Sequence, residues 1–302
     1  MDNVTHTLVG AALAKAGLER RTPLARITLI LGANFPDIDV IAVPFGKNFA
    51  WRRGVTHGFL ALAVLPFVLA GIMLLCDKYL RRRRDPTAPP ADYRQLVVLA
   101  ALSIATHPTL DFMNEYGMRW LMPFQDRWFY ADGLFIVDLF ILVGLGLGVW
   151  LASRRKSDRP ARIALAFVAI YVVAMLWITS LGREAVAKAF YAIPRAYYMV
   201  APEPLLPWRR SVIVLGGQGY RFGSWSPFDS LRLGPPWPKG EFQNGVVVPA
   251  VAAAKADPKA QAFLRWARFP YYRVVRQGSG TVVSIMDARY AGDWATIDVT
   301  VP

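Results

Sequence analysis

Residues 58–76 read GFLALAVLPFVLAGIMLLC and contain no charged side chain. A helix of about 20 residues crosses a hydrocarbon core of roughly 30 Å, so this segment predicts a transmembrane span. Two more stretches have the same character: residues 133–152, where Asp138 is the charged residue, and residues 161–182, which carry Arg162 near their start. The pattern indicates an integral membrane protein.

Two further apolar stretches, residues 24–43 and 96–112, are weaker candidates because prolines and polar side chains interrupt them: Pro36, Asp37, Asp39, His107, Pro108 and Asp111. Residues 4–18 predict a helix too short to span alone. The predicted fold class is a mainly α-helical integral membrane bundle of about four to five spans plus this short N-terminal helix.

The composition agrees with a membrane location. The chain is 55% hydrophobic with a mean hydropathy of +0.31, and 19% of its residues are charged, against about a quarter in soluble domains. The net charge of +14 is densest at residues 81–84 and 154–156, beside long apolar stretches, where charges set membrane topology. Because no nucleic-acid-binding pattern accompanies these charges, membrane lipids are the predicted partners and nucleic acid is not.

The basic loops also predict an orientation. Residues 77–94 and 153–162 are rich in Lys and Arg, whereas residues 114–132 contain two arginines, so the first two loops are predicted to be cytoplasmic and the third to lie outside. Polar residues far apart in sequence then reach the same outer face: Asp37, Asp39, His57, His107 and Asp111. His6 joins them if the N-terminal helix starts outside. This convergence predicts a single site.

The chain changes character after Arg183. Residues 184–302 are rich in Pro, Gly, Trp and Tyr, and short alternating segments predict strands at 211–215, 271–276, 281–286 and 295–301, with turns at Gly216-Gly217 and Gly278-Ser279-Gly280. Residues 250–266 have helical composition with a break near Pro258. We predict a transmembrane domain at residues 1–183 that carries the site, and a small α+β domain at residues 184–302, outside the membrane on the periplasmic side.

The chain contains three histidines, His6, His57 and His107, and one cysteine. His107 and Asp111 are four residues apart and would share one helix face. Asp37 and Asp39 follow Pro36, which predicts an extended or irregular turn in which both carboxylates converge; as helix caps they would need no cation. A set of nitrogen and oxygen donors suits Zn²⁺, Mn²⁺, Fe²⁺ or Mg²⁺, one ion or a pair.

With these motifs the chain resembles the YdjM-type family of membrane-bound metal-dependent hydrolases, also described as LexA-regulated inner-membrane proteins. The resemblance rests on motifs in order: THTLVG at Thr5, ANFPDIDV at Ala33, RRGVTHG at Arg52, HPTLDFMNEYG at His107 and YADGLFIVDLF at Tyr130. It implies a bacterial inner-membrane hydrolase with metal ligands at His6, Asp37, Asp39, His57, His107 and Asp111. Pro108 stands where an apolar residue is expected, which predicts a local distortion of the helix.

The predicted function is metal-dependent hydrolysis at the outer interface, on a phosphoester or a lipid-like ester. Asp39 or Asp111 would accept a proton from water, and Arg53 would steady an anionic transition state. Arg52 is predicted to anchor the chain at the interface, and Asp132 and Asp138 to support the site. The alternative is a non-catalytic membrane protein with a structural metal site and an outer sensing or scaffold domain.

Overall fold

In the computed structural model the described residues form two compact units. The described residues are 1–45, 48–191, 193–216, 219–237, 242–243, 249–278, 280–290 and 295–301. Residues 1–41 and 52–176 make up the first unit, and residues 42–51 and 177–302 make up the second.

The first unit is helical. The helices of the chain, in order, are α1 Asn3–Lys15, α2 Ala25–Gly32, α3 Asn48–Trp51, α4 Phe59–Cys76, α5 Arg82–Arg84, α6 Tyr93–Met113, α7 Leu139–Arg155, α8 Arg159–Ala189, α9 Pro249–Lys255 and α10 Pro258–Trp266. A 3-10 helix, Phe35–Phe45, follows α2. The predicted short N-terminal helix is therefore present as α1, where the Asp2 side chain accepts a hydrogen bond from the backbone N–H of Thr5.

The helices that are long and apolar enough to cross a membrane confirm part of the predicted bundle. Among the described residues there are three, Phe59–Arg84, Tyr93–Met113 and Arg159–Ala189. A fourth is possible if α2 and the 3-10 helix, which meet at a bend of 51°, are one broken span. The structure thus supports three spans, or four if this pair is one span; four is the lower end of the predicted range, and the range of four to five is not confirmed.

The predicted span at residues 133–152 is the main difference. The α-helix begins only at Leu139, and Asp138 caps it by accepting hydrogen bonds from the backbone N–H groups of Phe140 and Ile141. Asp138 therefore lies at the end of a helix of 17 residues and not inside a span. A carboxylate favours this position because it satisfies N–H groups that have no partner within the helix.

Pro36 behaves differently from the prediction, whereas the local distortion predicted at Pro108 stays a prediction. Pro36 does not produce an extended turn but lies in the first turn of the 3-10 helix, where the missing N–H costs little. Helix α6 runs unbroken through Pro108 to Met113. Helices α4 and α6 pack against each other through buried apolar side chains: Leu69, Ala70, Met73, Leu96, Ala100 and Ile104.

Gly10 brings α1 against α2. A Cβ atom at this position would lie 2.5 Å from the carbonyl oxygen of Leu29 and 2.8 Å from the Cα of Ile30. Gly10→Ala should therefore destabilise the protein by about 1–3 kcal/mol, because backbone atoms cannot rotate out of the way. Gly71→Ala in α4 is the matched control, since its Cβ would meet nothing within 4 Å. Thermal unfolding in detergent compares them, and an unchanged midpoint for Gly10→Ala would refute the packing.

The second unit contains two antiparallel sheets of four strands each, ordered β1-β2-β3-β4 and β5-β6-β7-β8. The strands are β1 Tyr198–Glu203, β2 Leu206–Gly216, β3 Gly219–Ser226, β4 Asp229–Trp237, β5 Phe242–Gln243, β6 Pro270–Gln277, β7 Gly280–Asp287 and β8 Thr296–Val301. The four predicted strands correspond to β2, β6, β7 and β8, and the predicted helical break at Pro258 separates α9 from α10. Gly217 and Ser279 of the predicted turns lie outside the described residues.

Candidate metal centre

The side chains of His57 and His107 meet inside the first unit with their Nε2 atoms 3.2 Å apart. Asp37 Oδ1 lies 3.7 Å from both nitrogens. Asp111 Oδ2 lies 3.7 Å from His57 Nε2 and 3.5 Å from His107 Nε2. Such spacings fit donors around one ion, because bonds of roughly 2.0–2.2 Å put neighbouring ligand atoms about 3–3.5 Å apart.

The opposite nitrogen of each ring has an acceptor. His107 Nδ1 is 2.7 Å from the carbonyl oxygen of Ala33, at the end of α2. His57 Nδ1 is 3.3 Å from Asp39 Oδ2 and 3.0 Å from the Thr56 hydroxyl. Acceptors at Nδ1 place the proton there and leave the Nε2 lone pair for a ligand, as in metal-binding histidines. In the tautomers that these acceptors favour, the two Nε2 lone pairs face each other.

The environment keeps the His57 ring neutral. Its side chain is fully buried, and this burial lowers the pKa of His57 to about 4. At neutral pH the ring is therefore an imidazole and not an imidazolium. Neutral imidazole is the form that binds metal ions.

His6 completes the group of imidazoles. It is fully buried on α1, and neither of its ring nitrogens makes a hydrogen bond to another described residue. Its ring stacks on His107 with centroids 3.8 Å apart and planes 21° apart, and its Nε2 is 3.4 Å from Asp111 Oδ1. A buried polar group without a partner is costly. A cation beside His6 would offset that cost.

Two adjacent arginines contact the carboxylates in different ways. Arg53 is buried and donates to Asp111 Oδ1 at 3.0 Å, to the Gly117 carbonyl at 2.8 Å and to Asn114 Oδ1 at 3.3 Å. Arg52 is more accessible, with 22% of its side chain exposed, and lies 3.4 Å from Asp37 Oδ1 and 3.6 Å from Asp39 Oδ1. Arg52, predicted only as an interfacial anchor, thus also reaches the site.

The sequence-predicted residues fall into two groups. Five of them contribute donor atoms to one cluster, built around the Nε2 atoms of two histidines and the Asp111 carboxylate: His6, Asp37, His57, His107 and Asp111. Asp39 lies behind His57, where it contacts Nδ1 and accepts from the backbone N–H of Arg53 at 2.7 Å. Its assignment as a metal ligand stays a prediction.

Other residues, none of them predicted as a metal ligand, also surround the site. The Ala33 carbonyl and the Thr56 hydroxyl orient the two imidazoles, and the side-chain amide of Asn3 donates to Asp37 Oδ2 at 3.0 Å. A backbone carbonyl leaves no signal in a sequence. Asp138, predicted to support the site, accepts from the Tyr171 hydroxyl at 2.9 Å and caps α7. Asp132 is buried with a positive φ of 58°.

Asp39→Asn should weaken metal binding about 10–100-fold without abolishing it, because the ring keeps an acceptor but loses the adjacent charge. Competition with a chelating fluorescent indicator measures the affinity. Asp138→Asn is the control, since it changes an aspartate that caps α7. An affinity for Asp39→Asn equal to that of the wild type would show that Asp39 does not act through His57.

Fold and site together define a class: a membrane protein with a buried His/Asp cluster that could hold a metal ion. Within this class the chain belongs to the family of YdjM inner membrane proteins, whose model matches residues 1–181. This match confirms the resemblance of the motifs, and the family description supports a membrane location. A comparison with curated proteins and another with solved structures found no match.

Proposed function

We propose that this protein is a metal-dependent hydrolase of the inner membrane, acting on a phosphoester or lipid-like ester at the periplasmic interface. The observation that carries the proposal is the approach of His57 Nε2 and His107 Nε2 to 3.2 Å. With both Nδ1 atoms beside acceptors, the two lone pairs would repel each other unless a cation lay between them. The donor set suits Zn²⁺, Mn²⁺, Fe²⁺ or Mg²⁺.

The residues that would hold the ion are His57, His107, Asp37 and Asp111, with His6 beside Asp111. A divalent ion would supply Lewis acidity and lower the pKa of a bound water far below that of bulk water, to about 7. Hydrolysis then adds the water oxygen to phosphorus or to the acyl carbon and breaks the bond to the alcohol. One water proton is transferred, through a carboxylate, to the departing alkoxide.

Asp39 and Asp111 were the predicted proton acceptors, and the geometry favours Asp39. Asp111 is committed to the imidazoles and to Arg53. Asp39 Oδ1 is buried and accepts no hydrogen bond from another described residue. Arg52 links this oxygen to Asp37 Oδ1, which lies beside the facing nitrogens. Because the Arg52 side chain is partly exposed, Asp39 lies on the more accessible side of the cluster, where a proton could pass to solvent.

The two arginines are proposed to share the anionic substrate role predicted for Arg53. Arg53 is buried and already donates to three acceptors, so it stabilises charge mainly through Asp111. Arg52 has its guanidinium at the more accessible edge, between Asp37 and Asp39. A planar fork of donors there suits a phosphate or carboxylate oxygen.

Exposed apolar side chains close in sequence to the cluster support an amphiphilic substrate. They are Val4, Ile38, Ile41, Val55 and Phe59, each more than half exposed. In a membrane protein such surface faces lipid. A lipid-like molecule could therefore lie along this surface and present its ester to the polar residues.

A structural metal site is the second candidate, and the complete burial of all three imidazoles favours it. The ligands come from α1, from the 3-10 helix, from the loop before α4 and from α6. An ion there would tie the short helix α1, the 3-10 helix and the loop before α4 to the long helix α6. In this case the second unit would act as the sensing or scaffold part.

The experiment that separates these functions uses the full chain purified in detergent, stripped with a chelator and reloaded with each metal. Phosphomonoesters, phosphodiesters and lipid esters are then tested for turnover. The proposal expects metal-dependent turnover that His57→Ala removes. Metal binding without turnover in any class would favour the structural site, and turnover by the metal-depleted protein would refute the proposed chemistry.

A further inference from the structure

The two oxygens of the Asp111 carboxylate face different imidazoles. Oδ2 lies 3.5 Å from His107 Nε2 and 3.7 Å from His57 Nε2. Oδ1 lies 3.4 Å from His6 Nε2. A carboxylate placed between two sets of nitrogens in this way can bind a separate cation with each oxygen.

The stacked rings of His6 and His107 point to the same conclusion. Their centroids are 3.8 Å apart and their planes differ by 21°, and both Nε2 atoms face Asp111. Imidazole lone pairs lie in the ring plane, so two stacked rings hold their lone pairs in separate, nearly parallel planes, which disfavours convergence on one ion. The ring separation matches the spacing of about 3.5–4 Å between the ions of two-metal sites.

The donor atoms divide into two overlapping triads. One is Asp37, His57 and His107, and the other is His6, His107 and Asp111; within each triad the donors lie within 4.8 Å of one another. The first triad contains the facing nitrogens. The second contains the buried His6 nitrogens that make no hydrogen bond to a described residue.

We infer that the cluster binds two divalent cations, one at His57, His107 and Asp37 and one at His6, with Asp111 bridging them, and that the substrate is a phosphate ester. The second ion should bind more weakly. Asp111 Oδ1 already contacts Arg53 at 3.0 Å and the amino group of Met1, and these cations would compete with it.

The substrate class is inferred from the net charge of the cluster, and it rests on the proposed hydrolase function. The inferred number of bound ions does not depend on that function. Three carboxylates, Asp37, Asp39 and Asp111, face two guanidiniums, Arg52 and Arg53. The protein groups thus carry at most one net negative charge, or none if the Met1 amino group beside Asp111 is charged, and two divalent ions would leave a clear excess of positive charge. A dianionic phosphate ester offsets most of that excess, whereas a neutral carboxylic ester offsets none of it.

The test uses the full chain in detergent, stripped of metal and equilibrated with Mn²⁺. Bound manganese is counted by mass spectrometry, and paramagnetic resonance detects magnetic coupling between neighbouring ions. We expect two ions per wild-type chain with a coupled signal. His6→Phe keeps a ring that can stack on His107 but removes both nitrogens, so it should bind one ion without coupling.

One ion per wild-type chain at saturating Mn²⁺, or two ions in His6→Phe, would overturn the inference. If His6→Phe does not yield monodisperse protein, His6→Gln and the coupled signal of the wild type decide the question. Two coupled ions without turnover of any ester would leave the ion pair standing and refute the proposed function. Turnover with a single bound ion would support the proposed function and refute the ion pair. Preference for a neutral ester over a phosphate ester would refute the substrate class.

Discussion

Replacing His107 with alanine is expected to remove bound metal and metal-dependent hydrolysis together. His107 links several parts of the cluster: its Nε2 is 3.2 Å from His57 Nε2, its ring stacks on His6 and its Nδ1 is held by Ala33. Both triads of donors include it. Metal content after dialysis should fall from stoichiometric to background, and turnover should fall to that of the metal-stripped wild type.

Thr109→Ala is the matched control for this change. Thr109 lies in the same turn of α6, is exposed and donates to the carbonyl of Ala105. It should keep its metal and its turnover. Stoichiometric metal in well-folded His107→Ala would place the binding site elsewhere in the chain.

Replacing Asp111 with alanine should cost stability as well as metal. The substitution leaves the buried Arg53 guanidinium without its carboxylate, and breaking a buried ion pair from one side costs about 3–5 kcal/mol. It also removes the group that contacts all three imidazoles. We expect a large fall in the thermal midpoint in detergent and loss of bound metal.

The double variant Asp111→Ala/Arg53→Met distinguishes the two effects. Removing the guanidinium takes away the unpaired charge, so part of the lost thermal stability should return. Metal should not return, because the carboxylate is still missing. A double variant no more stable than Asp111→Ala would show that the ion pair is not the cause of the instability.

The sequence predicted the first unit best where a pattern had one physical explanation. The spacing of His107 and Asp111 on one helix face needed no knowledge of the fold, and helix α6 bears it out. The orientation argument placed His57 and Asp37 near them, and the structure brings these side chains together. Their metal-binding role itself stays a prediction.

Other features depend on tertiary contacts that leave no mark in a sequence. Hydropathy counts apolar residues but does not show where a helix begins, so residues 133–138 were included in a predicted span, although the helix there begins after Asp138, which caps it. Arg52 and Arg53 are neighbours with the same charge, and only the fold decides that Arg53 is buried against Asp111. Strands β3 and β4 escaped prediction because glycine and proline interrupt them.

X-ray absorption at the metal edge of the zinc-loaded protein tests the central claim most directly. The three histidines of the chain all lie in the cluster, so imidazole scattering from the ion can come only from them. We predict a shell of nitrogen and oxygen at roughly 2.0–2.1 Å with imidazole features beyond it. A protein that retains no zinc, or zinc surrounded by oxygen alone, would contradict the gathering of imidazoles and carboxylates around a cation.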